Sequence, residues 1–246
     1  SILPDLAGCG LILLGLLGLV AFALVESRSK SPLLEIGLFR KNRAFAFSNL
    51  AALINYSATF GVGFLLSLYL QYVKGLTAQD AGLILIAQPL LMIFVALLSG
   101  WLSDRMRPQI LAGIGMALTT ASLLTLLDLG RETSIASVLS SLAILGLGVG
   151  LFSSPNTNAV MSSVLPRFYG VASSTLGTMR LSGHMLSMGM VMLCFSFYMG
   201  RTAIAPESID LFIGSAQATF AAFAVLSFGG IFASISGGGE GQREAA

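Results

Sequence analysis

Residues 81–102 read AGLILIAQPLLMIFVALLSGWL, a run of 22 residues without a charged side chain. A helix needs about 20 apolar residues to cross a hydrocarbon core about 30 Å thick, because each residue adds about 1.5 Å. Similar stretches precede and follow this run. The sequence therefore predicts seven transmembrane spans, at roughly residues 6–25, 44–73, 81–102, 109–127, 135–164, 170–199 and 211–235.

The composition agrees with a chain that lies mostly in lipid. Hydrophobic residues make up 55% of it and charged residues only 10%, whereas about a quarter of the residues of a soluble domain are charged. The apolar runs are continuous rather than alternating over about 10 residues, which favours helices over barrel strands. An all-α membrane protein is therefore predicted.

Several function classes are disfavoured by what the sequence lacks. No basic arm or basic–aromatic patch indicates a nucleic-acid partner. His184 is the only histidine, so neither a metal site nor the catalytic residues of a membrane-embedded enzyme are expected. No loop resembles a selectivity filter, which disfavours a channel.

Basic residues collect in alternate loops, and this pattern predicts the orientation of the chain. The loop at residues 26–43 holds five Lys and Arg residues, and the loop at 103–108 holds two. The loops on the other side hold one each, at 74–80, 128–134 and 200–210. Because short loops rich in Lys and Arg stay in the cytoplasm, we predict an N-terminus outside, a C-terminus inside and a location in the plasma (inner) membrane.

The loop between the third and fourth predicted spans carries a family resemblance. Residues 100–109 read GWLSDRMRPQ and resemble the signature loop of the major facilitator superfamily, Gly-x-Leu-Ala-Asp-Arg-x-Gly-Arg-Lys. The match lies at Gly100, Asp104 and Arg105, and the sequence departs from the pattern at Arg107.

Two further stretches are similar to the fourteen-span drug:proton antiporters of that superfamily. Residues 31–45, SPLLEIGLFRKNRAF, resemble the cytoplasmic connection that leads into their C-terminal six-helix half. The late spans show glycines, prolines and two polar residues in the same order as this family: Gly146, Gly148, Gly150, Pro155, Asn156, Pro166, Arg180 and Gly183.

The resemblance implies a domain organisation and a function. Residues 1–43 would form one linker transmembrane helix and the cytoplasmic connection, and residues 44–235 the C-terminal six-helix bundle. Residues 236–246 would be a disordered cytoplasmic tail, because their Gly-rich polar sequence has no apolar face to bury. The partners implied are the lipid bilayer, a missing N-terminal bundle of the same protein and a small amphipathic substrate.

The implied activity is secondary active transport, namely proton-coupled efflux of drugs, including antibiotics, or of other amphipathic compounds. The proton gradient would supply the energy, so no cofactor is expected. A permease for one specific metabolite on the same scaffold and a non-functional truncated half remain alternatives, since a fold does not determine a substrate.

Three residues of the signature loop are predicted to act as a gating loop. Gly100 would let two helices approach closely. Asp104 lies at a helix end, where it can pair with Arg105 or cap the N-terminus of a neighbouring helix. Such a charge cluster can hold one conformation closed and release it in another. The alternative is an ordinary positive-inside loop.

Polar residues within the predicted spans are candidates for a substrate cavity. A polar group in hydrocarbon is costly, so it usually faces protein, water or a ligand. Amides beside aromatic rings suit amphipathic solutes, although hydrogen bonds between helices explain them equally well. The cavity candidates are Asn49, Asn55, Tyr56, Thr59, Phe60, Asn156, Asn158 and Arg180.

Arg180 and His184 are the only basic residues inside a predicted span. They are four residues apart and so share one helix face. An Arg near the middle of the membrane costs at least about 2.5–3.5 kcal/mol. Arg180 is therefore expected to face a cavity, carbonyl groups near Pro155 or an acid of the missing half, and to act in gating, substrate choice or proton coupling. His184 is either a satisfied core histidine or a proton site, because its ordinary pKa lies near neutrality.

Glycines and a proline mark expected helix contacts or hinges. Small residues let helices associate closely in lipid, and Pro155 removes one backbone hydrogen bond and so kinks its helix. The residues expected to act in packing or as a hinge are Gly146, Gly148, Gly150 and Pro155, with Gly61, Gly63, Gly113 and Gly115 as further packing positions.

No Asp or Glu lies within any predicted span. Proton-driven carriers usually need a membrane carboxylate that binds and releases the proton. The family resemblance therefore implies that this acid lies in the missing N-terminal half.

Overall fold

Six long apolar helical spans make up the part of the chain that the computed structural model describes, namely residues 39, 42–200, 202 and 204–237. Their bounds are Arg43–Val73, Ala78–Ser103, Pro108–Asp128, Ile135–Ser162, Pro166–Tyr198 and Pro206–Ser236. Six of the seven predicted spans are thus confirmed to within five residues at each end. The predicted first span at 6–25 and most of the predicted tail lie outside the described residues.

The spans are built from seven α-helices with short 3₁₀ or π turns at some ends. The helices are α1 Arg43–Leu68, α2 Ala78–Leu85, α3 Ala87–Ser103, α4 Pro108–Thr125, α5 Ile135–Ser162, α6 Tyr169–Tyr198 and α7 Ile209–Ser236. A π-helical turn, Tyr69–Val73, continues α1. Strands are absent from the described residues, in agreement with the predicted all-α fold.

Side-chain caps explain where three helices begin. Asn42, Thr77 and Ser134 precede α1, α2 and α5, and the side-chain oxygen of each accepts a hydrogen bond from a backbone N–H of the first turn. Such a cap satisfies one of the donors that a helix N-terminus leaves without an intrahelical partner. Pro108 begins α4, where its missing N–H costs nothing.

The second described span is interrupted, although the sequence predicted one continuous helix there. A turn at Ile86 separates α2 from α3. Pro89 is the cause, since it has no N–H to donate to the carbonyl of Leu85 and its ring crowds that turn. Ile86 keeps helical dihedrals, so the two helices still form one span.

The helices pack as an arc in the order α3, α5, α4, α7, α1 and α6. The two ends of the arc are the least covered. In α2 and α3 only Ala81, Ser99 and Ser103 are buried, while Leu97 is 71% exposed. These flanks of α3 and α6 are available to lipid or to another helical bundle.

Helix α5 approaches both of its neighbours at glycines. A Cβ atom on Gly146 would lie 2.6 Å from the carbonyl oxygen of Gln88 in α3. On the other face, a Cβ atom on Gly148 would lie 2.6 Å from Thr119 Oγ1 and 2.7 Å from its backbone nitrogen in α4. Gly150 likewise contacts α3. The predicted packing role of these glycines therefore has a structural basis.

One predicted packing glycine has no close neighbour in the described part of the chain. Gly61, Gly113 and Gly115 all lie in tight contacts, whereas a Cβ atom on Gly63 would meet no heavy atom of the described residues within 4 Å. Helical spacing turns Gly63 to a different face of α1 from Gly61, since successive residues are about 100° apart. This open position adjoins the site described below.

Hydrogen bonds tie the loop between α4 and α5 to α1 and α7. Tyr69 Oη donates to the carbonyl of Gly130 at 2.8 Å, and Gln217 Nε2 donates to that of Leu129 at 2.8 Å. Arg131 Nε lies 2.8 Å from Asp210 Oδ1, and this hydrogen bond raises the pKa of Arg131. The ion pair is exposed and is therefore worth little on its own.

The contact between α4 and α5 should tolerate no side chain at Gly148. In Gly148→Ala, the new methyl group would meet backbone atoms, so the helices must separate. We expect the free energy of unfolding to fall by about 1–3 kcal/mol. Titration of the purified protein with SDS in mixed micelles, followed by circular dichroism, would measure it.

Gly63→Ala is the matched control for this substitution. Its methyl group meets open space, and Ala is a better helix former than Gly by up to about 1 kcal/mol. Stability should be unchanged or slightly raised. Equal losses in the two variants would contradict the packing role of Gly148.

Candidate functional site

Helices α1 and α6 run parallel and cross at two glycines. A Cβ atom on Gly61 would lie 2.8 Å from Val191 and 3.1 Å from Ser187 Oγ. One on Gly183 would lie 2.9 Å from the carbonyl oxygen of Leu53. The backbone N–H of Gly61 also donates to Ser187 Oγ at 2.8 Å. The two helices are thus held at a separation that larger residues would not allow.

This crossing brings together four of the predicted site residues, Tyr56 and Phe60 of α1 with Arg180 and His184 of α6, here named the α1–α6 cluster. The His184 ring stacks on Phe60, with centroids 4.2 Å apart and planes inclined by 20°. It also meets the Tyr56 ring edge-on at 5.4 Å. The Arg180 guanidinium lies 5.0 Å from the centroid of Tyr56, within the range of a cation–π contact.

The cluster lies well inside its span and is open on one side. Arg180 is eleven residues after Tyr169, the first residue of α6, which places it about 16 Å along the helix axis. Arg180 is exposed, His184 is half-buried, and Phe60 is 48% exposed. The long Arg side chain cannot reach the nearer end of the helix from that depth.

Arg180 has no acidic partner in the described part of the chain. Its N–H groups donate no hydrogen bond there, and the ion pair of Arg131 with Asp210 is the only one found among those residues. The described carboxylates all lie at or beyond the ends of spans: Asp80, Asp104, Asp128, Glu132, Glu207 and Asp210. The middle of the described spans therefore carries positive charge and no negative charge.

Three other cavity candidates of α1 point into the bundle instead. Asn49 and Asn55 are fully buried and Thr59 is 8% exposed. Thr59 Oγ1 donates to the carbonyl of Asn55 at 2.9 Å, and Asn49 Nδ2 donates to that of Phe45. Neither side-chain polar atom of Asn55 has a hydrogen-bond partner among the described residues, and an unpaired buried polar group costs about 1–3 kcal/mol.

The two predicted asparagines of α5 are also engaged within the bundle. Asn156 is 3% exposed. Asn158 Nδ2 donates to Ser103 Oγ of α3 at 3.1 Å. Pro155, one residue before Asn156, is buried inside α5. Asn158 thus joins α5 to α3, and among the described residues the ring contacts of Arg180 and His184 are with Tyr56 and Phe60 rather than with α5.

The predicted gating loop lies at the end of α3. Gly100 packs against α5, since a Cβ atom there would lie 3.0 Å from Ser154 Oγ. Asp104 is the C-terminal cap residue of α3; among the described residues it pairs neither with Arg105 nor with the start of α4. The Arg105 guanidinium lies over the Trp101 ring at 3.8 Å instead.

Two site features were missed in the sequence. No pattern in the sequence singles out Ser187, yet it accepts the hydrogen bond that joins α1 to α6. Trp101 holds Arg105 through its ring; the i, i+4 spacing of the two residues was the available signal. Within the described residues no group of three His, Cys, Asp or Glu side chains could hold a metal ion.

Comparisons with known proteins agree on one family. The family model described as Major Facilitator Superfamily matches residues 6–188. The riboflavin transporter RibZ of Clostridioides difficile (strain 630) is 32% identical over 170 residues, which cover 68% of this chain and 37% of that protein. The multidrug transporter protein MdtP of Bacillus subtilis (strain 168) is 34% identical over 168 residues, covering 68% and 30%.

A third relative is the tetracenomycin C resistance and export protein of Streptomyces glaucescens. It is 30% identical over 168 residues, which cover 68% of this chain and 31% of that protein. The chain thus spans about a third of the length of the relatives that it matches. With six apolar helical spans and a family match over more than half of its residues, this chain is an integral membrane protein that belongs to the Major Facilitator Superfamily.

Proposed function

We propose that this chain is the C-terminal six-helix bundle of a proton-coupled exporter of drugs or other amphipathic small molecules. The observation that carries the proposal is the α1–α6 cluster, in which two aromatic rings, a histidine and an arginine lie together on an open face deep in a span. Relatives named as a multidrug transporter and as a tetracenomycin C resistance and export protein support the same function.

A permease for one specific compound is the second candidate. It is favoured by the similarity to a riboflavin transporter, which is as extensive as the similarity to the multidrug transporter. Both candidates need the same wall of aromatic and polar side chains. They differ in the breadth of the substrate range, which transport assays with unrelated compounds would measure.

The partner that we propose is an N-terminal bundle of the same protein. The apolar flanks of α3 and α6 bury few side chains in the described structure, and Arg180 faces away from the core. A second bundle placed against these flanks would enclose a cavity at mid-membrane depth, where secondary transporters bind their substrates. Under this proposal the chain alone supplies one wall, one gate and half of the site.

The proton gradient is the proposed source of energy, and the second bundle is the proposed source of the coupling carboxylate. The described spans carry no carboxylate in their middle, so this bundle offers only His184 as a titratable group near the cavity. No cofactor takes part in the proposed cycle.

An efflux assay tests the proposal directly. The full-length protein should lower the accumulation of at least one of two amphipathic dyes, the cation ethidium and the anion fluorescein, in cells that lack their own exporters, and a protonophore should abolish this effect. Accumulation of both dyes equal to that of cells with an empty vector, at a confirmed protein level in the membrane, would contradict the proposed function.

The proposed orientation places the loop at residues 103–108 in the cytoplasm and the loop at 128–134 outside. Single cysteines at Met106 and Glu132, both exposed, in a background without Cys9 and Cys194, would report it. A membrane-impermeant maleimide should label the Glu132 site in intact cells and the Met106 site only after permeabilisation. The reverse pattern would overturn the orientation.

The proposed gating role of Asp104 predicts a loss of transport when its charge is removed. In Asp104→Asn the side chain keeps its size but can no longer pair with a cation as the gate closes, so efflux should fall at least about tenfold. Asp80→Asn is the matched control, because Asp80 is also exposed at a helix end but lies near the opposite end of the same span.

Efflux in the Asp80→Asn variant should equal that of the wild type. The amount of each variant in the membrane, measured by immunoblotting, separates a transport defect from poor expression. Normal efflux by Asp104→Asn would reduce the loop to a topological signal.

A further inference from the structure

The N-terminal half of α6 carries polar residues and glycine along one face. Ser173, Gly177, Arg180 and His184 follow one another at intervals of four, three and four residues. This spacing keeps them on one side of a helix. All four are exposed or half-buried. A polar strip therefore leads along the helix to the α1–α6 cluster.

The large apolar side chains that α6 exposes by more than half lie elsewhere on the helix. They are Leu181, Met185, Leu186, Met192, Leu193 and Phe197, at 53–85% exposure. Lipid favours such a surface and penalises Arg. The face with Arg180 is therefore turned toward water or protein in the membrane, whereas the apolar face is the one suited to lipid.

Space is open beside the α1–α6 cluster on both helices. Gly63 lies three residues after Phe60, and Gly177 lies three residues before Arg180. Among the described residues, no heavy atom lies within 4 Å of a Cβ atom placed on either glycine. The cluster thus adjoins surface of both helices that the described part of the chain leaves uncovered.

The charge in this wall meets no carboxylate among the residues that the structure describes. The five N–H donors of Arg180 are unused within the described part of the chain, because its contact with Tyr56 is made through the ring face. A planar guanidinium matches a carboxylate with two parallel hydrogen bonds. A cationic ligand would instead be repelled, and most strongly in a site that excludes water.

We propose that the α1–α6 cluster selects flat aromatic compounds that carry an acidic group. This inference rests on the proposed transport function and names the substrate class of the same site. The acidic group binds the guanidinium of Arg180, and the flat ring system lies against Phe60 and Tyr56. Offset or edge-on contacts between rings supply the remaining affinity.

Three fluorescent ligands of the same shape test the charge preference. They are anthracene-9-carboxylate, the neutral anthracene-9-carboxamide and the cationic 9-(aminomethyl)anthracene. Binding to the full-length protein in nanodiscs would be measured by fluorescence anisotropy. The carboxylate should bind at least about tenfold more tightly than the cation, as expected for hydrogen bonds to a charged group.

Arg180→Gln keeps a planar hydrogen-bonding side chain but removes the charge. We expect the affinity for the carboxylate to fall at least about tenfold and the affinity for the carboxamide to change little. Arg167→Gln is the matched control, since Arg167 also lies over an aromatic ring, that of Phe168 at 4.8 Å, but precedes α6 at its exposed end. Arg167→Gln should bind all three ligands as the wild type does.

The aromatic part of the proposal has its own variant. Phe60→Leu keeps the apolar character of the position but removes the ring, so the affinities for all three ligands should fall by similar factors. Unchanged affinities in Phe60→Leu, or equal wild-type affinities for carboxylate and cation, would overturn the proposal. A loss of carboxylate binding in Arg167→Gln as large as in Arg180→Gln would also overturn it, because charge at any position would then suffice.

A dye-efflux measurement on the same variants separates this proposal from the proposed function. Wild-type protein that exports ethidium but shows no preference for the carboxylate would contradict the proposed substrate class and agree with the proposed transport function. Protein that prefers the carboxylate yet exports no compound would contradict the transport function and agree with the proposed ligand preference.

A folding control covers the case in which Arg180→Gln unfolds the protein in nanodiscs. If Arg180→Lys then folds but shows no preference for the carboxylate, Arg180 pairs with a protein carboxylate and the proposal is wrong.

Discussion

The contact on which the candidate site depends is the crossing of α1 and α6 at Gly61 and Gly183. In lipid no hydrophobic effect drives helices together, so close packing and hydrogen bonds between them carry the association. Both are present here, since each glycine lies against atoms of the other helix at a distance that a methyl group would forbid and Ser187 accepts the Gly61 N–H. Close packing at glycines also joins α5 to α3 and to α4.

This close approach sets the chemistry of the exposed face. With the two helices parallel and in contact, residues four apart on α1 meet residues four apart on α6, so Tyr56 and Phe60 face Arg180 and His184. The rings cover part of a charge that lipid would not tolerate. Among the described residues, the rest of the guanidinium stays exposed near the middle of the span Pro166–Tyr198, where a ligand or a second bundle could cover it.

The sequence predicted the spans well and the site only in part, for a physical reason. The position of a span follows from the length of an apolar run, which is a local property of the sequence. The shared face of Arg180 and His184 likewise follows from their spacing of four residues. Which face of α1 meets the core depends on all its neighbours at once. Asn55 and Tyr56 are adjacent and both polar, yet Asn55 is buried in the bundle while Tyr56 contacts Arg180. Arg105 stacks on Trp101 and does not pair with Asp104 in the described structure. This choice of partner likewise depends on three-dimensional packing.

If α1 and α6 together form one wall of a substrate site with Arg180 as its charged group, a ligand of matching chemistry must bind there. A cryo-electron microscopy structure of the full-length protein with anthracene-9-carboxylate would show whether it does. We expect ligand density with its carboxylate within hydrogen-bonding distance of Arg180 and its rings against Tyr56 and Phe60. Density for the ligand at another surface, with Arg180 paired to a carboxylate of the second bundle, would contradict it.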